Sequence, residues 1–141
     1  MSAAANGNLY EALASAMSKA GDKPAFMSPG HTPVTYRALG EAVGRYANAL
    51  VACGVKAGDR VAVQVEKSVP NVCLYLACLK AGAVFNPLNT AYTPAELEYF
   101  IADAEPALVV VSSATRAKLA ASAVARSIPR METLEADGAG S

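Results

Sequence analysis

Three apolar runs, "RVAVQV" at 60–65, "AVFNP" at 83–87 and "ALVVV" at 107–111, are separated by two segments with helical punctuation. Val61, Val63 and Val65 alternate as a strand does after the turn "KAGD", whereas "ALVVV" is continuously apolar, the pattern of a strand covered on both faces. The gaps between the runs are too long for hairpins. An order of strand, helix, strand, helix, strand therefore predicts a mainly parallel sheet reached by right-handed crossovers, an α/β fold with helices on both faces.

The intervening helices carry their own start and stop signals. Ser68 is placed to cap the first and Pro70 fits its first turn, and Gly82 can end it in a left-handed conformation. Through "VPNVCLYLACLKAG" this helix is apolar on nearly every side, with Lys80 its only charge, so it should be packed on more than one face. The second begins at "TPAE", with Thr93 at the N-cap, Pro94 at the first helical position and Glu96 three residues after the cap. Leu97, Phe100, Ile101 and Ala104 form its apolar stripe, and Pro106 ends it.

Upstream, "NLYEALASAMSKAGDKPAF" reads as an amphipathic helix opened at Asn6 or Asn8, with Leu9, Leu13, Ala16 and Met17 on one face and Gly21 at its end. "PAF" and "PVTY" flank the turn residues Pro29 and Gly30 as a short hairpin. From Thr35 a longer helix places Tyr36, Leu39, Val43, Tyr46, Ala47 and Leu50 at the helical period, with Gly54 as terminator. Downstream of Ser112, "ATRAKLAASAVARSI" is a weaker helix and "RMETLEA" a further strand. Residues 134–141, ending in "DGAGS", have the composition of a flexible end.

Composition excludes several function classes. Twelve basic residues balance twelve acidic ones in a chain of 141, so no electrostatic footprint for nucleic acid or an anionic membrane is present. "VCLYLACL" is far short of the roughly 20 apolar residues of a membrane span. Residues 1–20 lack the basic and apolar regions of a signal peptide, which predicts a cytoplasmic protein. Three cysteines without CxxC spacing, Cys53, Cys73 and Cys78, read as free thiols, and one histidine, His31, cannot supply a multi-histidine metal site. The ten glycines contain neither GxGxxG nor GxxxxGK[ST], so the chain itself carries no nucleotide cradle. Glu96 and Glu98, two apart on a helix, point to different sides and suit capping and solvation rather than acid–base catalysis. No catalytic or metal-binding residue is predicted.

The series "DKPAF", "TPVTYRALGEAVGRYANAL", "GVKAGDRVAVQVEKSVPNVCLYLACLKAGAVFNPLN" and "TPAELEYFIADAEPALVVV" resembles, in order, the amino-terminal part of the AMP-forming adenylating enzymes, the acyl-CoA synthetase superfamily. The part from "VAVQVEKS" to "IADAEP" is most like the malonyl-CoA synthetases. The resemblance implies that residues 1–141 are the amino-terminal portion of a larger AMP-binding domain, truncated before the phosphate loop. Its parent would be an AMP-forming acid–thiol ligase joining malonate, methylmalonate or a similar small carboxylate to CoA, with ATP and Mg. The chain alone would be inactive and would bind none of these tightly, and its principal partner would be the remainder of the same polypeptide. In some relatives the loop matching "LNTAY" lies near the path of CoA, which makes Asn89, Thr90 and Tyr92 the candidate site residues. The competing expectation is a free-standing α/β binding module without chemistry, in which the same loop serves only turn geometry and helix capping.

Overall fold

The computed structural model describes residues 7–141, so Asn6 lies outside the described residues. Strands β3 (Arg60–Gln64), β4 (Val84–Pro87), β5 (Leu108–Val111) and β6 (Met131–Thr133) form one parallel sheet in the order β4-β3-β5-β6. Strands β1 (Pro24–Phe26) and β2 (Val34–Thr35) make the small antiparallel hairpin that the turn residues predict.

The helices divide between the two faces of the parallel sheet. On one face α2 (Tyr36–Ala52) and α3 (Val69–Ala81) pack over Val61, Val63 and Val65 of the β3 segment and Leu108 and Val110 of β5, with α1 (Leu9–Ala20) alongside. On the other, α4 (Pro94–Ala104), α5 (Ser113–Ala120) and a 3-10 turn (Ala123–Ser127) cover Ala62, Val109 and Val111. The period-2 alternation of β3 thus assigns its valines to one layer and Ala62 and Gln64 to the other. Val61, Val109 and Val111 are at most 1 % exposed, and each such side chain contributes about 1.5–3 kcal/mol of burial.

Helix α3 starts on Ser68, whose side chain accepts from the Asn71 amide, and ends at Gly82 in the left-handed region (φ 71°). A Cβ there would also meet Ala57 at 3.3 Å, so a side chain is disfavoured by conformation and by space. As its all-round apolarity requires, α3 buries Cys73, Leu74, Leu76, Ala77 and Cys78. Helix α4 carries the complete capping box: the Glu96 amide donates to Thr93 Oγ1, and the Thr93 amide donates to Glu96 Oε2 at 2.8 Å. Such a cap stabilises by about 1 kcal/mol.

Two expectations need correction. Helix α1 is rotated relative to the predicted face: Leu9 is 54 % exposed and Ala16 is exposed, while Tyr10 is buried and Leu13, Ala14 and Met17 pack against the core. Tyr10 takes this place because its ring is a larger apolar body than Leu9, with Lys80 Nζ 5.2 Å above its centre. The Ala-rich segment after Ser112 is a two-turn helix followed by a 3-10 turn instead of one helix, and the break falls at Ala121 and Ser122, whose hydroxyl donates to the Leu119 carbonyl. Near the end of the chain, Leu134 is buried and bridges to Gly140, and the Thr133 amide donates to Ser141 Oγ.

Candidate functional site

From β3 the chain leaves through α3 on one face to reach β4 on one side. From β5 it leaves through α5 on the opposite face to reach β6 on the other side. One hand of crossover demands this exchange of face with direction. The neighbouring carboxyl ends of β3 and β5 therefore diverge, and ligands of open α/β sheets bind in such a crevice.

A cleft of about 110 Å³ lies on this edge, lined by Gln64 of β3, Thr90 and Tyr92 of the β4–α4 loop, Glu98 of α4, and Thr115 and Lys118 of α5, with Leu97 and Leu119 among its apolar walls. The loop is built from Asn89. Its carbonyl accepts from the Tyr92 amide at 3.1 Å and from Gln64 Nε2 at 2.9 Å, and its side-chain Oδ1 accepts from the Ala91 amide at 2.9 Å. Upstream, the Leu88 amide donates to the Val63 carbonyl at 2.8 Å, and downstream Thr93 opens α4. Tyr92 stacks on Phe100 with ring centres 4.8 Å apart.

Of the three predicted residues, Thr90 and Tyr92 face the cleft, whereas the Asn89 side chain is occupied in shaping the turn. Gln64, Thr115 and Lys118 were not singled out by sequence, and Glu98, read there as a solvating residue, lines the cleft. Gln64 could have been found as the one polar residue within the apolar alternation of "RVAVQV"; the others come from two helices that only the topology brings together.

The cleft is far smaller than the roughly 300–1,000 Å³ of a small-molecule pocket. It holds hydroxyls, an ammonium and a carboxylate, but no histidine or thiol to act as base or nucleophile. Its size and lining suit contact with part of a ligand. Elsewhere, burial pushes the Cys78 thiol up to about 12 and raises that of Cys73, which favours the protonated, less nucleophilic form of both. Among the described residues no group of three His, Cys, Asp or Glu could hold a metal ion, and no helix is long and apolar enough to cross a membrane.

Residues 13–139 match the family model of the AMP-binding enzyme. The chain belongs to that family. Its fold superposes on apo MatB from Rhodopseudomonas palustris with a TM-score of 0.87 at 45 % identity, over 96 % of this chain and 27 % of that one. It is 33 % identical over 108 residues to the acetyl-coenzyme A synthetase of Desulfatibacillum aliphaticivorans, covering 73 % of this chain and 17 % of the relative. It is 35 % identical over 92 residues to an oxalate–CoA ligase of Arabidopsis thaliana, covering 64 % of this chain and 18 % of the relative. The chain thus spans about a quarter of the solved structure and less than a fifth of these two curated relatives.

Proposed function

We propose that this chain is the amino-terminal portion of an AMP-forming acid–CoA ligase, that its acid is malonate or a close dicarboxylate, and that the 88–92 loop borders the path of CoA. The observation that carries the reading is the 45 % identity to MatB sustained over 96 % of the chain. The choice of malonate is supported by the resemblance of residues 61–106 to the malonyl-CoA synthetases. Relatives named for acetate and oxalate match this chain at 33–35 % identity, so the segment occurs in ligases of more than one small acid.

The chemistry runs in two steps. A carboxylate resists attack at carbon and offers only oxide as a leaving group. Its oxygen attacks the α-phosphorus of ATP, the bond to pyrophosphate breaks, and an acyl-adenylate forms with AMP as a good leaving group. The CoA sulfur then attacks the acyl carbon, the thiol proton is released, and the bond to AMP breaks to give the thioester. ATP, CoA and Mg are thus required by the polypeptide as a whole. This chain contributes the packed α/β layer that fixes the edge carrying Thr90 and Tyr92.

The test uses the polypeptide at its natural length. It should release pyrophosphate with malonate faster than with acetate or oxalate, and form malonyl-CoA when CoA is added; a preference for acetate would refute the acid assignment. Ala91 is exposed between the two loop residues that face the cleft. Ala91→Glu should repel the polyanionic CoA, raising its KM by roughly tenfold at low salt while leaving pyrophosphate release unchanged. Equal losses in both steps would make the position structural, and no loss in either would place the CoA path elsewhere.

A further inference from the structure

We propose that Gln64 is a positioning residue: its side-chain amide clamps the 88–92 loop through the Asn89 carbonyl and so sets where Thr90 and Tyr92 stand over the cleft. The proposal rests on the reading that this loop borders the CoA path, but the clamp itself is read from the fold.

Gln64 is 5 % exposed, at the last position of β3 and on the face otherwise lined by Ala62, Leu97, Ile101 and Leu119. An apolar residue would satisfy that layer without desolvating an amide, a group that is costly to bury unless it is hydrogen-bonded. Its bond goes not to the neighbouring strand or helix but across 25 positions to the loop, from Nε2 to the Asn89 carbonyl at 2.9 Å. The same oxygen accepts from the Tyr92 amide, so the clamp holds the turn at the atom on which it closes. Either side of this point the loop is fixed at Leu88, by the Val63 carbonyl, and at Tyr92 and Thr93, by the stacking of the Tyr92 ring on Phe100 and by the α4 cap. Asn89, Thr90 and Ala91 between them are exposed and have no apolar anchor. Without Gln64 the middle of the loop would keep only the bonds it makes with itself.

Gln64→Met keeps length and removes the donor, and Gln64→Asn keeps the amide but is too short to reach. In the full chain, amide hydrogen exchange at Ala91 and Tyr92 should quicken by about three- to tenfold in both variants, the range set by one net hydrogen bond. Exchange across Val109–Val111 should stay within about twofold of the parent. Unchanged loop exchange in either folded variant overturns the clamp, as does equal acceleration in β5, which would reduce Gln64 to a stability residue. At natural length the same variants should raise the KM for CoA and leave pyrophosphate release alone. A loosened loop with an unmoved KM upholds the clamp and refutes the CoA reading, so the two fail separately.

Discussion

Helix α4 ends on a residue that its backbone does not favour. Glu105 lies at φ 46°, ψ 56°, the only non-glycine residue with positive φ among the described residues. Pro106 bars the right-handed helix at the position before it, and the chain must turn at once to enter β5 at Leu108. The left-handed conformation costs a residue with a Cβ about 1–2 kcal/mol. Glycine removes that cost but gives back about 0.5–1 kcal/mol through the freedom it adds to the unfolded chain. The Glu105 side chain is exposed and makes no hydrogen bond or ion pair among the described residues, and its amide bond to the Ile101 carbonyl at 3.2 Å survives any substitution except proline. Glu105→Gly should therefore stabilise by up to about 1.5 kcal/mol, and by about 0.7 kcal/mol at the middle of both ranges. Glu105→Ala, which keeps the Cβ and the strain, should stay within about 0.5 kcal/mol of the parent. Urea denaturation reads the difference as a higher midpoint at unchanged slope. A glycine variant no more stable than the alanine variant would refute the assignment of strain to this turn.

The capping box makes α4 acid-sensitive. Hydrogen bonds from the Thr93 amide and hydroxyl hold the Glu96 carboxyl below its ordinary 4.5, so its contribution is fully present above that value and is lost as pH falls through the lower folded-state pKa. Glu96→Gln, which cannot titrate, should narrow its stability gap to the parent as pH is lowered from 5 to 3; a gap independent of pH would show that the carboxylate charge is irrelevant to the cap. The thiols should divide by burial. With Cys78 near 12, only about one part in ten thousand is thiolate at pH 8, so an aromatic disulfide reagent should label half-buried Cys53 first and reach Cys73 and Cys78 only on unfolding. Labelling of Cys78 at the rate of Cys53 would contradict the packing of α3.

The sheet was legible because its signals are local and redundant. Cap, proline and capping-box glutamate agree at Thr93, Pro94 and Glu96, and strand alternation at Val61, Val63 and Val65 states both the element and the face it buries. Where one signal stood alone, reading failed. The face of α1 depends on whether Leu9 or Tyr10 is turned inward, positions one residue apart on a helix with few large apolar side chains, and the choice is made by contact with α2 and α3. The segment after Ser112 has alanine at so many positions that no periodicity marks where its helix stops.

The site was harder to read for a different reason. Thr90 and Tyr92 fall within a recognisable loop, but the wall opposite them comes from α5, and nothing near Thr115 or Lys118 in the chain says what they will face. Their placement follows only once β3 is known to lie between β4 and β5 and the crossovers to run on opposite faces. Asn89 shows the converse: its residue type marks a polar loop position, and the fold uses it to fold the loop on itself. Gln64 lies between the two cases. An amide at an inward-facing strand position is improbable on burial grounds alone, so its presence in "RVAVQV" signals a buried partner, while the identity of that partner, a carbonyl 25 residues away, belongs to the fold. A polar residue that breaks an apolar alternation is therefore a reason to search the strand's carboxyl end for a functional loop, and here that search leads to the one edge of the sheet where the chain diverges.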